Sequence, residues 1–145
     1  MEIGVVGLGR MGANMARRMA RAGARERAGG VRVVAFDRDP AARILLAGER
    51  NIECVEGLAA LASKLSGERV LLVMLPAGPA TEDALAELLP LLSAGDTLVD
   101  GGNAFYKDSM ARSLELSQRG LRYVDAGVSG GIHGLANGYC LMLGG

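Results

Sequence analysis

The chain has 145 residues, one domain's worth, of which half are hydrophobic, 3% aromatic and none Trp. That composition predicts a core of Val, Leu, Ile, Met and Ala, as where Ala- and Leu-rich helices cover a buried parallel sheet. The 16 basic and 16 acidic residues cancel to a formal charge of zero, which argues against nucleic acid or an anionic membrane surface as a partner.

In chain order, Glu2 to Val6 is a short apolar run ending in glycine and predicts a buried first strand. Arg10 to Ala22 predicts a helix stopped by Gly23, followed by a polar loop over Ala24 to Gly30. Val31 to Phe36 predicts a second strand, with Asp37-Arg38-Asp39-Pro40 as the turn after it. Pro40 opens a helix to Ala47, and Ile52 to Val55 predicts a third strand. Further helices are expected over Leu58–Leu65, Thr81–Leu92 and Ser109–Arg119, the last stopped by Gly120. The strands between them are Arg69–Leu75, Thr97–Asp100 and Leu121–Ala126. This alternation implies βαβ units: a Rossmann-type, doubly wound, mostly parallel α/β sheet with helices on both faces. From Ser129 to Gly145 the alternation breaks. Six glycines and no evident helix predict an edge hairpin there, with Asn137-Gly138 as its turn and Tyr139–Leu143 as its strand.

Cys54 and Cys140 stand far apart with no CxxC, so they are expected as two reduced, buried thiols rather than a metal framework. No metal site is expected. The longest apolar run, Val70 to Ala77, is far too short to span a membrane, and no signal segment precedes the first strand. A soluble, cytoplasmic protein is the expectation.

Gly7-Leu8-Gly9-Arg10-Met11-Gly12 follows a strand and opens a helix, the context that gives a GxGxxG pattern its meaning. Gly7 permits the tight turn, Gly9 lets the backbone approach a pyrophosphate, and Gly12 lets the helix pack against the strand. The free amides and positive dipole end of that helix then face an anion. Asp37, at the end of the second strand, is placed to accept hydrogen bonds from the adenine ribose. A carboxylate there repels a 2′-phosphate, so NAD is expected as cofactor over NADP. Arg38 complicates the choice, because it can stack on adenine or meet a phosphate.

Three more stretches fall at strand C-termini, where open α/β sheets bind ligands. These are Leu75-Pro76-Ala77-Gly78, Asp100-Gly101-Gly102-Asn103 and Gly127-Val128-Ser129-Gly130-Gly131. Their small residues admit a ligand close to the backbone, and Asn103 and Ser129 add short polar side chains.

The glycine fingerprint, the run Val99 to Tyr106, and Gly127–Gly131 followed by Asn137 to Met142 resemble decarboxylating 6-phosphogluconate dehydrogenase. The resemblance is to its shorter, NAD-preferring branch, within the β-hydroxyacid dehydrogenases. It spans essentially the whole chain. It implies that Gly7, Leu8, Gly9, Arg10, Met11 and Gly12 bind the dinucleotide, with Met11 near the nicotinamide. Asp37 would hold the adenine ribose and Leu75, Pro76 and Ala77 would line the cofactor cleft. Asn103 would bridge cofactor and substrate, and Ser129, Gly130 and Gly131 would hold the sugar acid. The implied reaction is oxidative decarboxylation of 6-phosphogluconate to ribulose 5-phosphate by a full-length form that is a homo-oligomer.

The same resemblance implies a base lysine and an acid glutamate in a helical second domain that these 145 residues lack. Residues 1–145 are therefore expected to be the dinucleotide-binding domain and to turn over negligibly alone. Lys64 and Lys107, the only lysines, read as surface residues rather than substitutes for that base. His133, the only histidine, has two readings: a group reaching a substrate phosphate or hydroxyl, or a structural or exposed residue. Tyr106 and Tyr139 read as packing residues. Two alternatives stay open: the cofactor domain of another β-hydroxyacid dehydrogenase, such as 3-hydroxyisobutyrate dehydrogenase, and a non-catalytic NAD-binding module. A domain built to meet a partner domain should expose apolar surface.

Overall fold

Seven strands form one sheet in a computed structural model that describes residues 1–22 and 31–145. The elements are β1 Glu2–Val6, α1 Arg10–Ala22, β2 Arg32–Phe36, α2 Pro40–Ile44, β3 Ile52–Cys54, α3 Leu58–Lys64 and β4 Val70–Val73. They continue as α4 Pro79–Leu88, β5 Thr97–Asp100, α5 Tyr106–Gln118, β6 Arg122–Ser129, α6 Gly134–Asn137 and β7 Cys140–Gly144. Gly23 as a helix stop and the loop expected over Ala24–Gly30 lie outside the described residues.

The strand order is β3-β2-β1-β4-β5-β6-β7, parallel throughout except for the antiparallel β6–β7 pair. The chain winds outward from β1 in one direction and from β4 in the other. Their C-terminal ends therefore flank the switch point where such sheets form a crevice. Successive side chains take opposite faces, so Val5 and Val6, or Val33 and Val34, enter different cores. One core joins Val6, Val34 and Leu71 to Leu61 of α3, Leu85 of α4 and Leu116 of α5. The other joins Val5, Val33 and Ala35 to α1. Ala13, Ala16 and Ala20 recur at helical spacing on α1, and such small side chains let the helix lie close to the sheet. Helices thus cover both faces, and among the described residues the fully buried core is aliphatic apart from Tyr123, with Phe36 packed against it.

Tertiary contacts and caps shift several boundaries. α2 ends at Ile44, not Ala47, because the chain tightens into three-residue turns (Leu46 N–H to Arg43 O, 3.1 Å; Ala47 N–H to Ile44 O, 3.1 Å) that swing Leu46 into the core. The helix expected to run to Leu92 splits at Leu88 into α4 and a 3-10 turn over Leu89–Leu91, since Pro90 has no N–H to continue the ladder. β6 runs on to Ser129, and the connection to β7 holds a 3-10 turn over Gly131–His133 and the short α6 instead of a two-residue hairpin turn. Gly134 makes this possible: a Cβ there would collide with the Tyr139 ring. Tyr139 packs as expected, but Tyr106 is 59% exposed. Neither cysteine is fully buried; Cys54 is half-buried and Cys140 exposed.

At the N-terminal ends of the strands, away from the crevice, Asp96 organises the turn before β5. Its carboxylate accepts from the Arg69 amide (2.7 Å), the Ser93 amide (2.8 Å) and the Arg69 guanidinium (2.9 and 2.5 Å). Burial opposes its ionisation, but these donors outweigh that and hold its pKa below the ordinary carboxylate value. Removing one partner of such a buried pair costs about 3–5 kcal/mol. Asp96→Ala should lower unfolding stability by that amount at pH 7 in urea titrations. The depressed pKa makes this stabilisation present above about pH 3.9 and lost as pH falls further. The gap between wild type and variant should therefore close in acid.

Candidate functional site

The β1–α1 turn is shaped by three glycines with different neighbours. Gly7 adopts φ 93°, its N–H donates to Phe36 O (2.9 Å), and a Cβ there would stand 2.6 Å from Met74 O. A Cβ on Gly12 would run into Gly7 O. Around Gly9 nothing lies within 4 Å of the Cβ position. The space left open at Gly9 faces the start of α1, whose first amides have no intrahelical partners and whose first turn holds no acidic residue to neutralise them. Arg10 is exposed and Met11 half-buried there. Leu8 is 4% exposed, so its side chain belongs to the core and only its backbone faces the turn.

Asp37 ties this turn to the end of β2. Its Oδ2 accepts the Leu8 N–H (2.6 Å) and its Oδ1 the Asp39 N–H (2.8 Å). Arg43 Nη1 donates to Asp37 O (2.6 Å), and Asp39 caps α2 through the Ala41 N–H (2.9 Å). Each Asp37 oxygen keeps a lone pair for a further donor. A cleft of about 410 Å³ opens here, lined by Gly7, Gly9, Asp37, Arg38, Leu75 and Pro76. Ala77 is exposed and not part of that lining. α4 adds Ala80, Asp83, Ala84 and Glu87, which share one helix face, and α3 adds Leu58. None of these five was singled out from sequence.

The second group of expected residues lies outside the cleft, along the C-terminal ends of β5 and β6. Asn103 is exposed with φ 57°. Gly101 and Gly102 have a different reason to be glycine than ligand approach: a Cβ on either would strike the Met74 sulfur or Leu75 O, where β5 closes on β4. Ser129, Gly130, Gly131 and His133 are all exposed. Gly130 (φ 138°) and Gly131 (φ 47°) turn the chain away from β6. Arg18 of α1 donates to Leu135 O (3.0 Å), so the fingerprint helix also carries the segment after Ser129. Two arginines in helix interiors reach this edge: Arg18 bonds the segment after Ser129, and Arg112 bonds Asp100 at the end of β5 (2.8 Å). For Arg112 the sequence held a signal: it shares the buried face of α5 with Ser109 and Leu116. Among the described residues no group of three potential ligands gathers for a metal, and no helix is long and apolar enough to cross a membrane.

A doubly wound sheet with a glycine turn opening its first helix and a carboxylate ending β2 defines a nicotinamide-dinucleotide-binding domain. Residues 2–145 match the family described as the NAD binding domain of 6-phosphogluconate dehydrogenase, and the chain belongs to that family. It is 38% identical to the decarboxylating 6-phosphogluconate dehydrogenase of Haemophilus ducreyi, over 99% of this chain and 29% of that protein. It is 36% identical to the putative 6-phosphogluconate dehydrogenase YqeC of Bacillus subtilis, over 100% of this chain and 46% of that one. The chain therefore spans less than half the length of these relatives. Among solved structures, Plasmodium falciparum 6-phosphogluconate dehydrogenase, described with NADP+ and with 6-phosphogluconate, superposes with a TM-score of 0.87 at 27% identity, covering 100% of this chain and 31% of that one. Mycobacterium tuberculosis 3-hydroxyisobutyrate dehydrogenase superposes with a TM-score of 0.84 at 25% identity, covering 99% and 46%.

Proposed function

We propose that this chain is the cofactor half of a 6-phosphogluconate dehydrogenase that prefers NAD. The observation that carries the reading is the joined pair of turns: an open backbone at Gly9 and, clamped to the adjacent Leu8 amide, the Asp37 carboxylate. These residues fit a dinucleotide. The amides of Gly9 to Gly12 would hold the pyrophosphate, Met11 would lie near the nicotinamide, and Asp37 would take the adenine ribose hydroxyls. Arg38, Leu75 and Pro76 would enclose the adenosine, with Ala77 at the rim. The bound nicotinamide supplies a hydride acceptor. Asn103 would bridge cofactor and sugar acid, and Ser129, Gly130 and Gly131 would hold the sugar acid, with His133 within reach of its polar groups.

NAD preference rests on charge. Among the described residues that line the cleft, three acids, Asp37, Asp83 and Glu87, face the guanidinium of Arg38, a poor setting for an added phosphate. Calorimetry on this chain should find NAD bound about tenfold tighter than NADP, a difference of about 1.4 kcal/mol. No heat with either nucleotide would remove the assignment.

The base and acid of the reaction would come from a second, helical domain, with which the full-length form would self-associate. Neither lysine here is posed as a base: Lys64 is paired with Glu53, and Lys107 lies 6.0 Å from the Tyr106 ring centroid. These residues alone should form no detectable ribulose 5-phosphate. Met110 and Leu114 of α5 and Met142 and Leu143 of β7 are 67%, 64%, 65% and 66% exposed, which favours a half of an enzyme over a stand-alone binding module. The exposed Cys140 thiol suits the reducing cytoplasm. A second reading, another β-hydroxyacid dehydrogenase, draws on the likeness to 3-hydroxyisobutyrate dehydrogenase. Substrate-dependent NADH formation by a full-length form separates the two.

A further inference from the structure

Behind the exposed Asn103 lies a buried ionic cluster that the proposed chemistry does not use. β5 ends in Asp100, which is 1% exposed. Its Oδ1 accepts the Gly102 N–H at 2.9 Å, closing the turn that delivers Asn103. Its Oδ2 accepts from Arg112 Nη1 at 2.8 Å and from the Tyr123 hydroxyl at 3.2 Å. The other terminal nitrogen of Arg112 pairs with Glu82 of α4. One guanidinium, 9% exposed as a side chain, therefore joins α4 and α5 to the end of β5, and Tyr123 adds β6.

Burial by itself would depress the Arg112 guanidinium, but its hydrogen bonds and the facing carboxylates raise its pKa above the ordinary value. Burial and the Asp100 charge push the Tyr123 phenol up, so it remains a donor at neutral pH. A buried ionic cluster is weak evidence for stability, since well-packed apolar residues do as well or better. Its placement is the informative part. Asn103 holds a left-handed backbone, which Asn adopts more readily than other side chains but still at a cost that its surroundings must offset. On one side the turn is fixed by Gly101 and Gly102 against Met74 and Leu75. There the Gly101 N–H also donates to Val73 O (2.8 Å). On the other side the Asp100 carboxylate holds the Gly102 amide, and Arg112, with Tyr123, sets where that carboxylate points.

We propose that Arg112 is a positioning residue for Asn103, acting through Asp100 and the Gly102 amide. This rests on the reading of Asn103 as a cofactor contact, and the test separates the two claims. NAD binding to this chain is measured by calorimetry, beside thermal melts, for Asn103→Ala, Arg112→Met, Arg112→Lys and the pairs with Asn103→Ala. Asn103→Ala should weaken NAD about tenfold, the worth of roughly one ligand hydrogen bond. Arg112→Met should weaken it by a similar factor, and the double variant should be no weaker than either single one. Arg112→Lys keeps a charge facing Asp100 and should recover most of the affinity even where its melting temperature is lowered. A purely structural role would not give that rescue. Losses that multiply, or wild-type affinity in Arg112→Met, overturn the inference alone. Unchanged affinity in Asn103→Ala overturns the reading of Asn103 and the inference with it. Should the methionine variant not fold, the lysine variant, with about a threefold loss that vanishes in the Asn103→Ala background, decides by the same criterion.

Discussion

Gly12→Val should destabilise the fold by about 3 kcal/mol, whereas Gly9→Val should fold normally and lose NAD binding by about a hundredfold. The two glycines lie three residues apart in one motif, and their surroundings dictate opposite failures. The Cβ direction of Gly12 meets the carbonyl oxygen of Gly7, a backbone atom that cannot swing aside as a side-chain tip can. Relief requires α1 to move off β1, opening the core built on Ala13, Ala16 and Ala20. For a chain of this length 3 kcal/mol corresponds to a fall in melting temperature of about 10 °C. At Gly9 there is nothing within 4 Å to strike, and its φ is not in the left-handed range. Losing a glycine cap costs at most about 1 kcal/mol. A valine there would instead fill the space through which a pyrophosphate approaches the first amides of α1. Scanning fluorimetry and calorimetry on both variants separate the effects. A Gly9→Val protein that binds NAD like wild type would remove the pyrophosphate from this turn.

The sheet was legible in the sequence because its strands are apolar runs bounded by turn residues, and β1 and β5 span the residues expected of them. What misled was local signal overruled by distant neighbours. Asn137-Gly138 reads as a hairpin turn, but Gly138 instead ends a helical turn, its N–H bonded to Gly134 O (2.9 Å). That helical turn is held in place by Arg18, 117 residues away in the chain. Gly101 and Gly102 have a reason to be glycine besides ligand approach, since a Cβ on either would strike Met74 or Leu75, and no local pattern discloses it.

The candidate site divides along the same line. Gly7, Gly9, Asp37, Arg38, Leu75 and Pro76 meet in one cleft, because strand C-termini converge in any doubly wound sheet and the sequence marks where strands end. The α4 wall has no signature in the sequence, since the side of a helix that faces a crevice depends on how it packs. Ala80, Asp83, Ala84 and Glu87 carry no motif of their own.

That wall bears on the second large effect. Asp37→Asn should raise the ratio of NADP to NAD affinity at least tenfold, through changes of opposite sign. Removing the charge lifts the repulsion that a carboxylate exerts on a 2′-phosphate beside it, worth about 1–4 kcal/mol at contact distance between water and a protein surface. NADP gains only part of this, because Asp83 and Glu87 remain in the cleft. NAD loses affinity for a separate reason. The carboxylate offers one oxygen to the Leu8 N–H (2.6 Å) and the other to the Asp39 N–H (2.8 Å), and an amide has only one oxygen. One donor is left unpaired, and either the turn before α1 or the start of α2 loosens where the adenosine should sit. Adding Asp83→Asn and Glu87→Gln should increase NADP affinity further and leave NAD nearly unchanged, since neither side chain holds the β1–α1 turn. Titrations of both nucleotides against the three proteins give the comparison. If Asp37→Asn weakens both nucleotides equally, Asp37 acts as a clamp on the backbone alone, and selection between the cofactors belongs to Arg38 and the α4 acids.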